Sequence, residues 1–149
     1  MITDRFSTLE IIGREMFSKW LKSVKAKDID FTEDKYCPVD CIFTNKGISY
    51  GAEIKVRDEK YRAYDTHMLQ ESKLKDMLQF QKDNKIDRLL YVNFFGDWMY
   101  VYVVGNESYD IQTMSLVKTT AESNGYTDKN IIWLDSKSAF KYFQNKLVL

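Results

Sequence analysis

Three polar residues, Asp40, Glu53 and Lys55, carry the densest chemistry in this 149-residue chain. If Lys46 and Gly47 form a two-residue loop between the runs 36–44 and 48–57, Asn45 pairs with Ile48 and Asp40 falls opposite Glu53. Opposed residues share one face with Cβ atoms about 5 Å apart, where like charges repel. A divalent cation between the two carboxylates offsets that repulsion, and Lys55, two residues further on the same face, adds a positive charge. Oxygen ligands suit Mg²⁺, with Mn²⁺ as its substitute. A metal held there polarises a phosphodiester and activates a water, and Lys55 beside that water can orient it, deprotonate it or stabilise the charge growing on the phosphoryl oxygens. The register depends on the turn, because a three-residue loop shifts it by one. The competing reading is a solvated ladder of ion pairs, each worth about 0.2 to 1 kcal/mol.

Regular elements must position these residues. Apolar side chains at Phe6, Leu9, Ile12, Met16, Trp20 and Val24 fall on one helical stripe, which predicts a helix over 4–25 with Gly13 in the stripe as a place of close approach. In 48–57, Ile48, Tyr50, Ala52, Ile54 and Val56 alternate with Ser49, Gly51, Glu53 and Lys55, the period of a strand with one core face and one polar face. A second amphipathic helix is expected over 66–85 with Thr66 as its N-cap. A hairpin of central strands follows, 87–95 and 98–104 around Gly96 and Asp97. A shorter strand pair is expected around Asn124 and Gly125, with 130–134 as its second member, and a last helix over 138–147. This order predicts an α/β fold, a three-layer sandwich with a central mixed sheet flanked by helices, in a single domain over 1–149.

Composition excludes some classes. With 44% hydrophobic and 30% charged residues and no long apolar run, neither a membrane span nor a signal peptide is expected, and the cytoplasm is the expected compartment. The two cysteines, Cys37 and Cys41, read as free thiols. His67 is the only histidine, which excludes a multi-histidine zinc site. The 22 basic and 22 acidic residues cancel, and that balance counts against a nucleic-acid binder, although placement matters as well as the sum. Trp98, Tyr100 and Tyr102, on one face of a strand, read as core or sheet surface.

Pro38-Val39-Asp40, followed thirteen residues later by Glu53-Ile54-Lys55, resembles the bipartite motif of the PD-(D/E)xK nuclease superfamily, which includes restriction enzymes, archaeal Holliday-junction resolvases and phage exonucleases. The setting over about residues 6–104 matches as well: helix, motif across a hairpin, helix, then two apolar strands. The resemblance implies a restriction-endonuclease-like fold and a Mg²⁺-dependent deoxyribonuclease, an endonuclease more than an exonuclease, acting on DNA in a phage, mobile-element or repair setting. It also implies Asp40, Glu53 and the Ile54 carbonyl as metal ligands and Lys55 as the catalytic lysine. Many members carry a glutamate on the first helix facing the metal, and Glu10 matches that position. Its alternative role is in a capping box with Ser7, which a helix already running before Ser7 would not need. From the second helix, Gln70 and Lys73 are the expected contributors, one turn apart on a common side, ahead of Glu71. Arg57, Lys60, Tyr61, Arg62 and Tyr64 follow the motif and read equally as phosphate or base contacts and as a charged loop. A homodimer would place two sites on two strands. The other class of reading is a catalytically inactive nucleic-acid or protein binding module of the same fold.

Overall fold

The computed structural model describes residues 6–117 and 126–143. Helix α1 (Thr8–Ser23) begins at a capping box: Ser7 Oγ accepts from the Glu10 amide at 3.2 Å, and Glu10 Oε1 accepts from the Ser7 amide at 2.9 Å. The helix is therefore not running before Ser7, and the cap that the sequence reading set aside is present. Its buried side is also rotated from the predicted stripe. Gly13, Phe17, Trp20 and Leu21 are buried, whereas Leu9 and Ile12 are exposed.

Strands β1 (Lys27–Phe31), β2 (Cys41–Asn45) and β3 (Ile48–Arg57) follow as an antiparallel run. The polar stretch 25–35 gave no sign of β1, whose residues are almost all exposed at the sheet edge. Between β2 and β3 the loop is Lys46-Gly47, with φ of 52° and 79°. Both residues take the left-handed conformation that a type I′ turn requires, and the strands pair as expected from Asn45 with Ile48 to Cys41 with Ala52.

Residues 66–85 divide into two elements. Strand β4 (Thr66–Gln70) precedes helix α2 (Glu71–Asn84), so Thr66 is no N-cap; Gln70 holds that position without a side-chain cap bond. Met68 and Leu69 continue a helical pattern in sequence, but they pair with Trp133 and Ile132 of a distant strand. Strand β5 (Arg88–Phe95) lies parallel to β3, and β6 (Trp98–Val104) returns antiparallel to it around Gly96. Strands β7 (Ile111–Val117) and β8 (Tyr126–Asp135) are longer than the expected short pair; the turn at Asn124 and Gly125 lies outside the described residues. The expected final helix is not formed over its first part. A 3₁₀ turn at Ser136–Ser138 leads into β9 (Phe140–Phe143), which pairs with β6, while 144–147 lie outside the described residues.

The central sheet thus has six strands in the order β1-β2-β3-β5-β6-β9, mixed because β3 and β5 run parallel. On one face α1 packs Phe17, Trp20 and Leu21 against Phe43, Ala52, Ile54 and Val92. On the other, α2 and the three-stranded sheet β4-β8-β7 pack Leu74, Met77, Leu69 and Ile132 against Tyr91 and Tyr102. The three-layer arrangement holds, with a small sheet sharing the second outer layer with α2. Apolar layers on both faces of β5 account for seven buried residues in its eight.

Gly13 sets the spacing of α1 on β3. A Cβ there would lie 3.0 Å from the Cγ2 atoms of Ile54 and Val56, two β-branched side chains with little freedom to rotate. Gly13→Val is expected to destabilise the fold by about 1 to 3 kcal/mol, read as a lower denaturant midpoint. An unchanged midpoint would mean that α1 slides without cost.

Candidate functional site

Register carries Asp40 to its position. It lies one residue before β2, its amide donates to the Ala52 carbonyl at 2.8 Å, and it stands across from Glu53. Asp40 Oδ2 accepts from the Ile54 amide at 2.8 Å, which ties the first carboxylate to the strand bearing the second. Glu53 occupies the face that the sequence pattern marked as polar and solvated. That face is covered, because Tyr91, its neighbour on β5, belongs to the core under α2, and Glu53 is only 5% exposed.

Burial, reinforced by the charge of Asp40, pushes the Glu53 carboxyl up to about 8, against the opposing pull of Lys73 and Lys55. Lys73 Nζ lies 3.1 Å and Lys55 Nζ 3.7 Å from Glu53 Oε2. Lys73 therefore reaches the site from the first turn of α2. Gln70 does not share a helical side with it: as the N-cap it lines a neighbouring cleft that also touches Lys55 and Lys73. Glu71 turns away to Lys75 and Asn130.

One cavity of about 200 Å³ collects Glu10, Asp40, Glu53, Ile54, Lys55 and Lys73. Glu10 thus caps α1 and borders the cavity at once. Burial works to raise its carboxyl, but the bonds from Ser7 and the charges of Lys35 and Lys55 hold it below its usual range. Lys35 also lines the cavity.

Arg14 was not singled out from sequence. Its guanidinium donates to Asp40 Oδ1 at 3.0 Å, to the Thr32 carbonyl at 2.7 Å and to Thr32 Oγ1 at 3.3 Å, under the ring of Phe6. One arginine on a helix has no periodic signal. Its one legible trait is position, one turn beyond Glu10 on the same side.

Other sequence expectations resolve structurally. Cys37 and Cys41 are free, and burial pushes the Cys41 thiol up to about 12, where it is inert. His67 is buried: a carbonyl only accepts, so Nε2 carries the proton donated to Tyr61 O at 3.0 Å, and Nδ1 accepts from Tyr102 Oη. Tyr100 and Tyr102 are core, as expected.

Among the described residues no group of three or more His, Cys, Asp and Glu side chains is gathered closely enough for a metal. The pair fits a hard divalent cation on its own chemistry. Two carboxyls this close, one kept neutral by burial and its neighbour, are an arrangement that such a cation stabilises in fully ionised form.

A six-stranded mixed sheet between α1 and α2, with acidic residues and a lysine on its β2–β3 hairpin, defines the restriction-endonuclease-like class of fold. A solved structure of Hjc, a Holliday junction resolvase from the archaeal hyperthermophile Archaeoglobus fulgidus, shares this fold with a TM-score of 0.54 at 11% identity, covering 91% of this chain and 99% of that one. Archaeal Holliday-junction resolvases are among the proteins whose motif this chain resembles, so motif and fold agree. The chain matches no family model and no curated protein. Among the described residues no helix is long and apolar enough to cross a membrane.

Proposed function

We propose that this chain is a metal-dependent nuclease that hydrolyses phosphodiester bonds in DNA, as an endonuclease in the cytoplasm. The observation that carries the reading is the convergence of Asp40, Glu53, Lys55 and Lys73 on one cavity, in a fold shared with a junction resolvase. Asp40, Glu53 and the Ile54 carbonyl are the groups that would hold Mg²⁺ or Mn²⁺, with Glu10 at the cavity's edge. When bound, such an ion supplies positive charge to the scissile phosphate and acidifies a water. Glu53 must give up its proton to serve as a ligand, so metal affinity should rise as pH approaches 8. Lys55, with 43% of its side chain exposed, is placed to meet the attacking water or the phosphoryl oxygens, while the more buried Lys73 steadies Glu53. Paired copies would present two such sites to two strands.

With Mg²⁺ or Mn²⁺ the purified chain is expected to cut DNA. Asp40→Ala and Lys55→Ala should each slow cutting by at least about 100-fold while the circular dichroism spectrum stays that of a folded protein. Cutting by the Asp40→Ala/Glu53→Ala/Lys55→Ala triple variant at the parental rate would defeat the proposal.

One observation favours the second reading, a binding module without catalysis. Arg14 already pairs with Asp40 and Lys73 already contacts Glu53, an arrangement that stands without a metal. Calorimetry separates the two: a Mn²⁺ binding signal lost in Asp40→Asn supports the enzyme, and no signal with or without DNA supports the module.

A further inference from the structure

Beside the catalytic cavity lies a cleft of about 140 Å³ that shares Lys55 and Lys73 with it. That cleft in turn shares Arg57 and Met68 with a larger pocket of about 440 Å³. The larger pocket is mostly apolar, walled by Tyr61, Tyr64, Phe95 and Trp133, with Arg57, Asn93, Thr66 and His67 as polar residues. Tyr61 and Tyr64 meet edge to face at 5.3 Å and remain substantially exposed at its mouth.

Asn93 is the informative residue. It is 1% exposed, and its orientation is fixed because Arg57 Nε, which can only donate, lies 3.2 Å from Oδ1. The amide nitrogen is buried and without a partner among the described residues, in a residue that lines this pocket. A buried donor left unpaired is costly and calls for a ligand that accepts. Arg57 is itself held, with Nη2 donating to Tyr91 Oη at 2.8 Å, and Tyr91 Oη donating to the Met68 carbonyl at 2.9 Å. The polar edge of the pocket is thus built in advance of any ligand.

We propose that this pocket receives an unpaired nucleobase of the DNA substrate, stacked among the aromatic walls with a base carbonyl or ring nitrogen accepting from Asn93 Nδ2. The three clefts join end to end, and Lys73, Lys55 and Arg57 run along them as a line of cations suited to successive phosphates. The pocket volume suits a small planar ligand, and every base has an acceptor edge, so the site reads unpairedness more than sequence. The inference rests on the nuclease reading for its ligand being DNA; the pocket itself does not depend on it.

The test is a duplex with one bulged 2-aminopurine, mixed with the full chain in chelator so that nothing is cut. Stacking in the pocket should quench the fluorophore relative to the free bulged duplex. Tyr61→Ala and Tyr64→Ala, both at the exposed mouth, should each weaken binding to the bulged duplex by roughly 5- to 100-fold and leave binding to fully paired duplex unchanged. Asn93→Asp, which replaces the donor by an acceptor, should weaken the bulged complex further than either tyrosine variant. Unquenched binding, or equal losses on bulged and paired duplex, would overturn the pocket. If the chain cuts paired DNA with Mg²⁺ and yet shows no quenching, the pocket proposal alone fails; if it neither binds nor cuts any DNA, the nuclease reading fails with it.

Discussion

Glu53→Gln is expected to abolish metal-dependent cleavage and, in the same protein, to raise the melting temperature of the metal-free fold above pH 8. The two effects come from one buried carboxyl. Its value is pushed up to about 8 in the folded chain from an ordinary 4.5, by burial first and by Asp40 second. Between those values the folded protein keeps a proton that the unfolded chain has released, so stability is fully present below about 4.5 and is lost as pH rises through 8. The loss is on the order of 5 kcal/mol for a shift of this size. Glutamine has no proton to lose, so parent and variant should converge in acid and separate in base. Saturating Mg²⁺ should reverse the order, because only the parent gains binding free energy from the ion. Parallel pH dependences of melting for the two proteins would show that Glu53 is ionised in the fold, against this account.

Arg14→Ala separates the framework of the site from its competition with a metal. In chelator the variant should lose about 2 kcal/mol, because Asp40 and Thr32 lose charge-assisted bonds that join α1 to the start of β2. The same guanidinium neutralises the Asp40 oxygen that a cation would claim. The variant should therefore bind Mn²⁺ more tightly, and its stability deficit should narrow as Mn²⁺ is added. An ion at about 100 times its Kd contributes close to 3 kcal/mol, enough to resolve by thermal melts. A deficit that does not change with Mn²⁺ would reduce Arg14 to a structural brace.

What was legible in the sequence follows the range of the forces involved. The register of Asp40 on Glu53 is set by a turn of two residues and an alternation of ten, all local, and the structure keeps it. The central hairpin of β5 and β6 was legible for the same reason. β4 was not, because residues 66–70 become a strand only by pairing with 131–135, and their apolar spacing matches the helix that follows. Phe140 to Phe143 likewise take their form from β6, some forty residues away. The cover over Glu53 comes from those same distant pairings, so its face read as solvent. At Glu10 the apolar spacing runs back past Ser7 in sequence and masks the cap, which the structure shows, while Glu10 also borders the cavity.

The Lys46-Gly47 turn also determines which sequence changes can reach the site. Replacing either residue alters the ease of turning and leaves Asp40 across from Glu53. Inserting or deleting one residue anywhere between 41 and 52 slides one strand by a single step, and a single step exchanges the faces. Asp40 would then stand across from Ala52 or Ile54, and its carboxylate would point into the layer under α1. Glu53 lies thirteen positions after Asp40, and point substitutions at the exposed positions between them leave that spacing intact, but the count itself is rigid.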